Sequence, residues 1–152
     1  NRSPAGAQAF AKATGAAVAV DLEPAVGAAD IILTCTTSTE PIIKGVWLRP
    51  GQHLNMIGAY RPDMREADDE VLKKSLLFVD SFDTTLGHIG ELKIPLETGV
   101  ITREHVRADY YDLAAFQARP EDITVFKNGG GAHLDLMTAR YVLDQWQGLK
   151  ST

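Results

Sequence analysis

Five apolar runs recur along the chain, with segments of helical composition between them. The runs are Ala16-Ala17-Val18-Ala19-Val20, Ile31-Ile32-Leu33-Thr34-Cys35, His53-Leu54-Asn55-Met56-Ile57-Gly58, Leu76-Leu77-Phe78-Val79-Asp80 and Ile123-Thr124-Val125-Phe126-Lys127. They show little polar alternation, as expected of strands covered on both faces. Helices are predicted between them. Ser3, Pro4 and Gly15 supply the N-cap, first residue and C-cap of an alanine-rich helix. Asp21 opens a second, short helix, and residues 68–74 read as a third. Residues 81–91 read as helical until Gly90 and Pro95 loosen the pattern, and residues 102–119 hold one or two helices with Leu113 and Phe116 on one face. After Gly129-Gly130-Gly131 a long helix carries Leu134, Met137 and Tyr141 on one stripe, widened by Val142 and Trp146.

Strands alternating with helices predict an α/β domain with a parallel sheet and right-handed crossovers. Such sheets bind ligands where the carboxyl ends of the strands meet their loops. Here those ends are Thr34-Cys35-Thr36-Thr37, Gly58-Ala59-Tyr60, Asp80-Ser81 and Lys127-Asn128-Gly129.

Composition narrows the function classes. With 152 residues and 45% hydrophobic content, the chain has material for an ordinary core and is not a disordered segment. A net charge of −5 and no basic run argue against nucleic-acid binding. No stretch approaches the roughly 18 apolar residues of a membrane helix. The single cysteine excludes an internal disulfide framework and a thiolate zinc site, and suits a reducing, cytoplasmic compartment. Without a basic partner in sequence, Cys35 is expected to be a small buried hydrophobe. The four histidines share no metal-ligand spacing, so no metal is expected.

The strand ends carry the candidate chemistry. Thr34 to Thr39 offers hydroxyl and amide donors beside a flat ligand, or simply forms a polar turn ended by Pro41. Gly58 and Ala59 would let a ligand approach the backbone, or serve a tight turn. The glycine run could present amides to an anion or carboxamide, although neither a phosphate-loop motif nor GxGxxG is present, and a connector is the plainer reading. His88 lies beyond a strand end, although an exposed helix-end residue is the plainer reading. A nucleophilic hydrolase finds no support, for GxSxG and a cysteine–histidine pairing are both missing.

Several ordered blocks then read together. They are Ala29-Asp30-Ile31-Ile32 into Thr36-Thr37-Ser38-Thr39-Glu40-Pro41, Trp47-Leu48-Arg49-Pro50-Gly51-Gln52-His53-Leu54-Asn55 into Gly58-Ala59-Tyr60-Arg61-Pro62-Asp63, Arg65-Glu66, Val79-Asp80-Ser81, Gly90-Glu91-Leu92 and Thr124-Val125-Phe126-Lys127. In this order and spacing the chain resembles the ornithine cyclodeaminase/mu-crystallin family over nearly its whole length. The resemblance implies a Rossmann-type, doubly wound parallel sheet lacking its first strands. Residues 1–124 would be the C-terminal part of an NAD(P)-binding domain. Residues 125–152 would return toward a substrate and dimerisation domain built with an N-terminal half, in a homodimer as the resemblance implies. The abrupt start at Asn1 fits that expectation.

Carried over residue by residue, the resemblance implies that Asn1, Arg2 and Ser3 hold the adenosine ribose. The planar fork of Arg2 would suit a 2′-phosphate, which favours NADP over NAD. Thr34, Cys35, Thr36 and Thr37 would pass along the dinucleotide, and Ile57, Gly58 and Ala59 would lie near the nicotinamide. Lys127 and Asn128 match a Lys-Ser pair leading into the glycine helix at Gly129. Tyr60 departs from the family: cyclodeaminases and alanine dehydrogenases resemble one another in an Asp there, and ketimine reductases have Ser. A phenol of reference pKa about 10 is no carboxylate base at neutral pH. His88 stands where many relatives have Glu. The implied activity is hydride transfer to or from the α-carbon of a small amino acid or cyclic imine, with Tyr60 and His88 as catalytic candidates and Arg61 as the substrate contact. Ornithine cyclodeamination, or dinucleotide binding without turnover, are the alternatives.

Overall fold

A computed structural model describes residues 1–150, with the side chains of all of these except Ala115, Leu149 and Lys150. The last two residues of the expected returning segment, 151–152, lie outside the described residues. The elements run α1 (Pro4–Thr14), α2 (Leu22–Ala28), β1 (Ile31–Thr34), β2 (His53–Met56), α3 (Asp69–Lys74), β3 (Ser75–Val79), α4 (Phe82–Thr85), α5 (Gly90–Glu97), β4 (Val106–Ala108), β5 (Ile123–Lys127) and α6 (Ala132–Lys150). Five strands form one sheet in the order β1-β2-β5-β3-β4, and every pairing is parallel. This is the predicted α/β class.

The register explains the core. Leu54, Val125 and Leu77 lie side by side on β2, β5 and β3, and all three are fully buried. They share one cluster with Val26 of α2, Val71 and Leu72 of α3 and Leu92 of α5. Because side chains alternate along a strand, the other face carries His53, Phe78 and Phe126. There Phe78 sits 4.8 Å from Phe126 and 4.6 Å from Phe116, ring centre to ring centre. On edge strand β1 the residues between the buried ones, Ile31 and Leu33, remain exposed.

Caps behave as the sequence predicts at the first helix. Ser3 accepts a hydrogen bond from the Gly6 N–H, and Gly15 takes the left-handed conformation with φ 77°. Asp68 caps α3 by accepting from the Val71 N–H. Among described residues no helix is long and apolar enough to cross a membrane.

Four expectations are corrected. Residues 16–20 form no strand; they are exposed and pair with no strand of the sheet. A strand is stable only with a hydrogen-bonded neighbour, and none of the described residues supplies one. Second, the segment 81–91 divides: α4 ends at Thr85, and Gly90 begins α5 instead of ending a helix. Pro95 lies inside α5, where the short length leaves few ladder bonds to break. Third, residues 102–119 contain two short 3-10 turns, Arg103–His105 and Leu113–Ala115, with strand β4 between the two, in place of α-helices. Tertiary pairing of Leu77 with Val106 outweighs the local helical composition. Fourth, Cys35 is exposed, because it follows buried Thr34 and therefore points the other way.

Candidate functional site

All five strands are parallel, so the ends at residues 34–37, 57–60, 80–81 and 127–129 lie along one edge of the sheet. In the last register layer Thr34, Met56, Lys127 and Val79 stand side by side on the core face. An ammonium thus occupies a position otherwise suited to a hydrophobe.

Lys127 is fully buried, and its Nζ donates to three carbonyls: Ala59 at 2.7 Å, Asn128 at 2.7 Å and Met56 at 3.1 Å. Burial lowers its pKa, against the attraction of Glu91, Glu66 and Asp80. Desolvating a single ion costs several kcal/mol even after relaxation. Three charge-assisted hydrogen bonds at roughly 1.5–3 kcal/mol each offset a cost of that size. The outcome is a tether between β5 and the turn that follows β2.

Glu66, fully buried in the loop after that turn, is the second anchor. Its carboxylate accepts from the Thr36 N–H at 2.6 Å, the Gly58 N–H at 2.8 Å, the Thr34 hydroxyl at 2.8 Å and the Ala59 N–H at 3.3 Å. It therefore joins the ends of β1 and β2. Glu91, at the start of α5, accepts in turn from the Glu66 and Ala67 N–H groups. Burial pushes the Glu91 carboxyl up to about 7, against the pull of those two N–H donors.

Asp80 is the third anchor, at the end of β3. One oxygen accepts from the Thr85 hydroxyl at 2.8 Å, the Ser81 N–H at 2.9 Å and the Gly129 N–H at 3.0 Å. It ties the glycine run to β3. Glycine is required at both junctions. A Cβ on Gly58 would meet the Thr36 main chain at 2.1 Å, and one on Gly129 would meet the Thr85 hydroxyl at 2.5 Å.

The sequence-predicted residues fall into two groups. Thr34, Cys35, Thr36, Thr37, Ile57, Gly58, Ala59, Tyr60, Lys127, Asn128 and Gly129 gather along this edge. Within it Thr34, Ala59 and Lys127 are buried, whereas Cys35, Thr37, Ile57 and Tyr60 are exposed. Asn128 is half-buried and accepts from the Gly130 N–H. Exposed Arg61 is held in a two-pronged pair with Asp63, at 2.8 and 3.0 Å. His88 is exposed on the turn between α4 and α5. The hydrogen bonds of Asn1 and Ser3 are local to α1, which buries no residue, so among the described residues Asn1, Arg2 and Ser3 are not drawn to the strand ends.

Sequence reasoning did not single out Glu66, Glu91 and Asp80 as site residues. The available signal was a carboxylate set among small and apolar neighbours, as in Ile89-Gly90-Glu91-Leu92 and Val79-Asp80-Ser81. Such a residue is buried only when donors surround it.

A dinucleotide fits what this edge presents. Gly58 and Gly129 keep it free of side-chain bulk, while Thr37 and Asn128 place polar groups along it. Comparison with known proteins shows what the chain is similar to. The chain is 56% identical over 126 residues to a Δ1-pyrroline-2-carboxylate reductase of Paracoccus denitrificans, covering 80% of this chain and 40% of that protein. It is 37% identical over 155 residues to the ketimine reductase mu-crystallin of Rattus norvegicus, covering 99% and 47%. Among solved structures it resembles the Thermococcus litoralis Δ1-pyrroline-2-carboxylate reductase in complex with NADH and L-proline. There the TM-score is 0.75 and the identity 33%, over 84% of this chain and 43% of that one. An archaeal alanine dehydrogenase dimer with bound NAD gives a TM-score of 0.77 at 29% identity, over 93% and 45%. The chain thus spans less than half the length of these relatives. The model of one family matches residues 1–150. With that match covering nearly the whole chain, the chain belongs to the ornithine cyclodeaminase/mu-crystallin family.

Proposed function

We propose that the chain is the dinucleotide-binding part of an NAD(P)-dependent oxidoreductase that reduces a small cyclic imine or oxidises the matching amino acid. The observation that carries this reading is the single edge at which residues 34–37, 57–60 and 127–129 are locked together by Glu66, Lys127 and Asp80. Ligands of parallel α/β sheets bind there. Kinship with two Δ1-pyrroline-2-carboxylate reductases supports the substrate class. Residues 1–124 then belong to the NAD(P) domain, and residues 125–152 lead back toward a substrate domain contributed by an N-terminal half, in a cytoplasmic homodimer.

The bound cofactor supplies the hydride. The protein's part is orientation and exclusion of water. Gly58 and Ala59 give a flat rest for the ring, Thr36 and Thr37 line the path of the dinucleotide, and Asn128 and Gly129 close the far side. Tyr60 and His88 stand on the solvent side of the same edge, where either hydroxyl or imidazole holds the proton that accompanies hydride transfer. Arg61 is the substrate contact, released from Asp63 when a carboxylate takes its fork. Arg2 at the N-terminus of α1 suits a 2′-phosphate, which gives NADP(H) the preference.

The test uses the full-length protein that carries this chain. Loss of reduced-nicotinamide absorbance on adding Δ1-pyrroline-2-carboxylate, faster with NADPH than with NADH, is expected. Tight binding of both nucleotides with no turnover on imines or amino acids would replace this reading with a non-catalytic one.

A further inference from the structure

Main-chain amides are the usual cradle for phosphate, and the sequence places several at the strand ends. The structure engages them internally. The N–H groups of Thr36, Gly58 and Ala59 all point at Glu66. That of Gly129 points at Asp80, and that of Gly130 at the Asn128 side chain. A pyrophosphate would find these donors occupied, and beneath them a buried carboxylate of its own sign. What the turns at 34–36 and 57–59 offer a ligand is a fixed shape and no side chain at Gly58. These suit an uncharged, flat group.

We propose that Glu66 is a positioning residue for the nicotinamide end of the dinucleotide: by drawing in the donors of both turns it fixes the one shape that accepts the ring and its ribose, and it turns the phosphates away from this edge. Glu91 holds Glu66 in place through two main-chain N–H groups. This inference rests on the reading that a dinucleotide lies along the strand ends.

The experiment compares two probes, NADH and ADP-ribose, which lacks the nicotinamide ring. Both affinities are measured by titration on the full-length protein, its Glu66→Gln variant and its Glu66→Asp variant, with melting temperatures alongside. Gln keeps the shape but places an amide N–H₂ against N–H donors; Asp keeps the charge but withdraws it by one methylene. In both variants NADH affinity is expected to fall at least about tenfold while ADP-ribose affinity stays within about twofold, since misplacement of one part of a bound ligand penalises that part. An equal fall for both probes would show a purely structural role, and no fall for either would show that Glu66 is dispensable; each overturns the proposal. If Glu66→Gln fails to fold, Glu66→Asp decides between these outcomes. Failure of the unaltered protein to bind either probe would instead overturn the dinucleotide reading on which the proposal stands.

Discussion

Glu91 carries Glu66: the carboxylate of the first accepts the main-chain N–H of the second, and that second carboxylate gathers the donors of two strand ends. Buried Glu91 makes the edge sensitive to pH. Burial raises the Glu91 carboxyl from 4.5 to about 7. An acid whose folded pKa exceeds its unfolded value holds more protons when folded, so its contribution to stability is full below about pH 4.5 and declines as pH rises toward about 7. The difference amounts to roughly 3 kcal/mol, a shift of one pKa unit being about 1.4 kcal/mol. Melting curves of the full-length protein between about pH 5 and pH 8 are expected to show a decline with pH that Glu91→Gln flattens. Parallel curves for the two proteins would refute the assignment.

Lys127 provides a second test. Replacement by Met preserves the stem but removes the donors of Met56, Ala59 and Asn128 carbonyls. Buried acceptors left unpaired cost about 1–3 kcal/mol each unless water reaches them. Lys127→Met is therefore expected to lower stability in denaturant titration by at least about 1 kcal/mol and to weaken NADH binding, as the turn after β2 comes loose. Unchanged stability would mean that the desolvation cost of the ammonium cancels its hydrogen bonds.

Gly58 is held by sterics alone. Its φ is not left-handed, and the constraint is the Thr36 main chain, 2.1 Å from where a Cβ would stand. Overpacking against backbone costs about 1–3 kcal/mol or more. Gly58→Ala is expected to destabilise by that amount and to separate the ends of β1 and β2, with loss of dinucleotide binding by calorimetry. By contrast Gly87→Ala meets no atom within 4 Å and is expected to be tolerated.

The strand ends were legible in the sequence because four of the five apolar runs there are strands of the sheet, and their carboxyl ends share an edge by parallel topology alone. Residues 16–20 have the same composition as a strand but no neighbour to pair with, and pairing is a property of the whole sheet. β4 escaped notice because three residues, Val106 to Ala108, give no period to read. The anchors were hidden for another reason. Glu66, Glu91 and Asp80 look like surface charges until tertiary structure surrounds them with donors.

Tyr60 and His88 bear on the proton. Tyr60 is 60% exposed directly after the Gly58-Ala59 turn, so its hydroxyl is free to meet a substrate lying over that turn. Removing a positioned general acid or base slows turnover by about 100-fold or more. If Tyr60 supplies the proton, Tyr60→Phe is expected to lower kcat by that factor while NADH affinity and the melting temperature hold, since the exposed phenol hydroxyl makes no hydrogen bond among the described residues. If the imidazole supplies it, His88→Ala takes the loss instead. Wild-type kcat in both variants would remove both residues from the chemistry and leave the proton to another group.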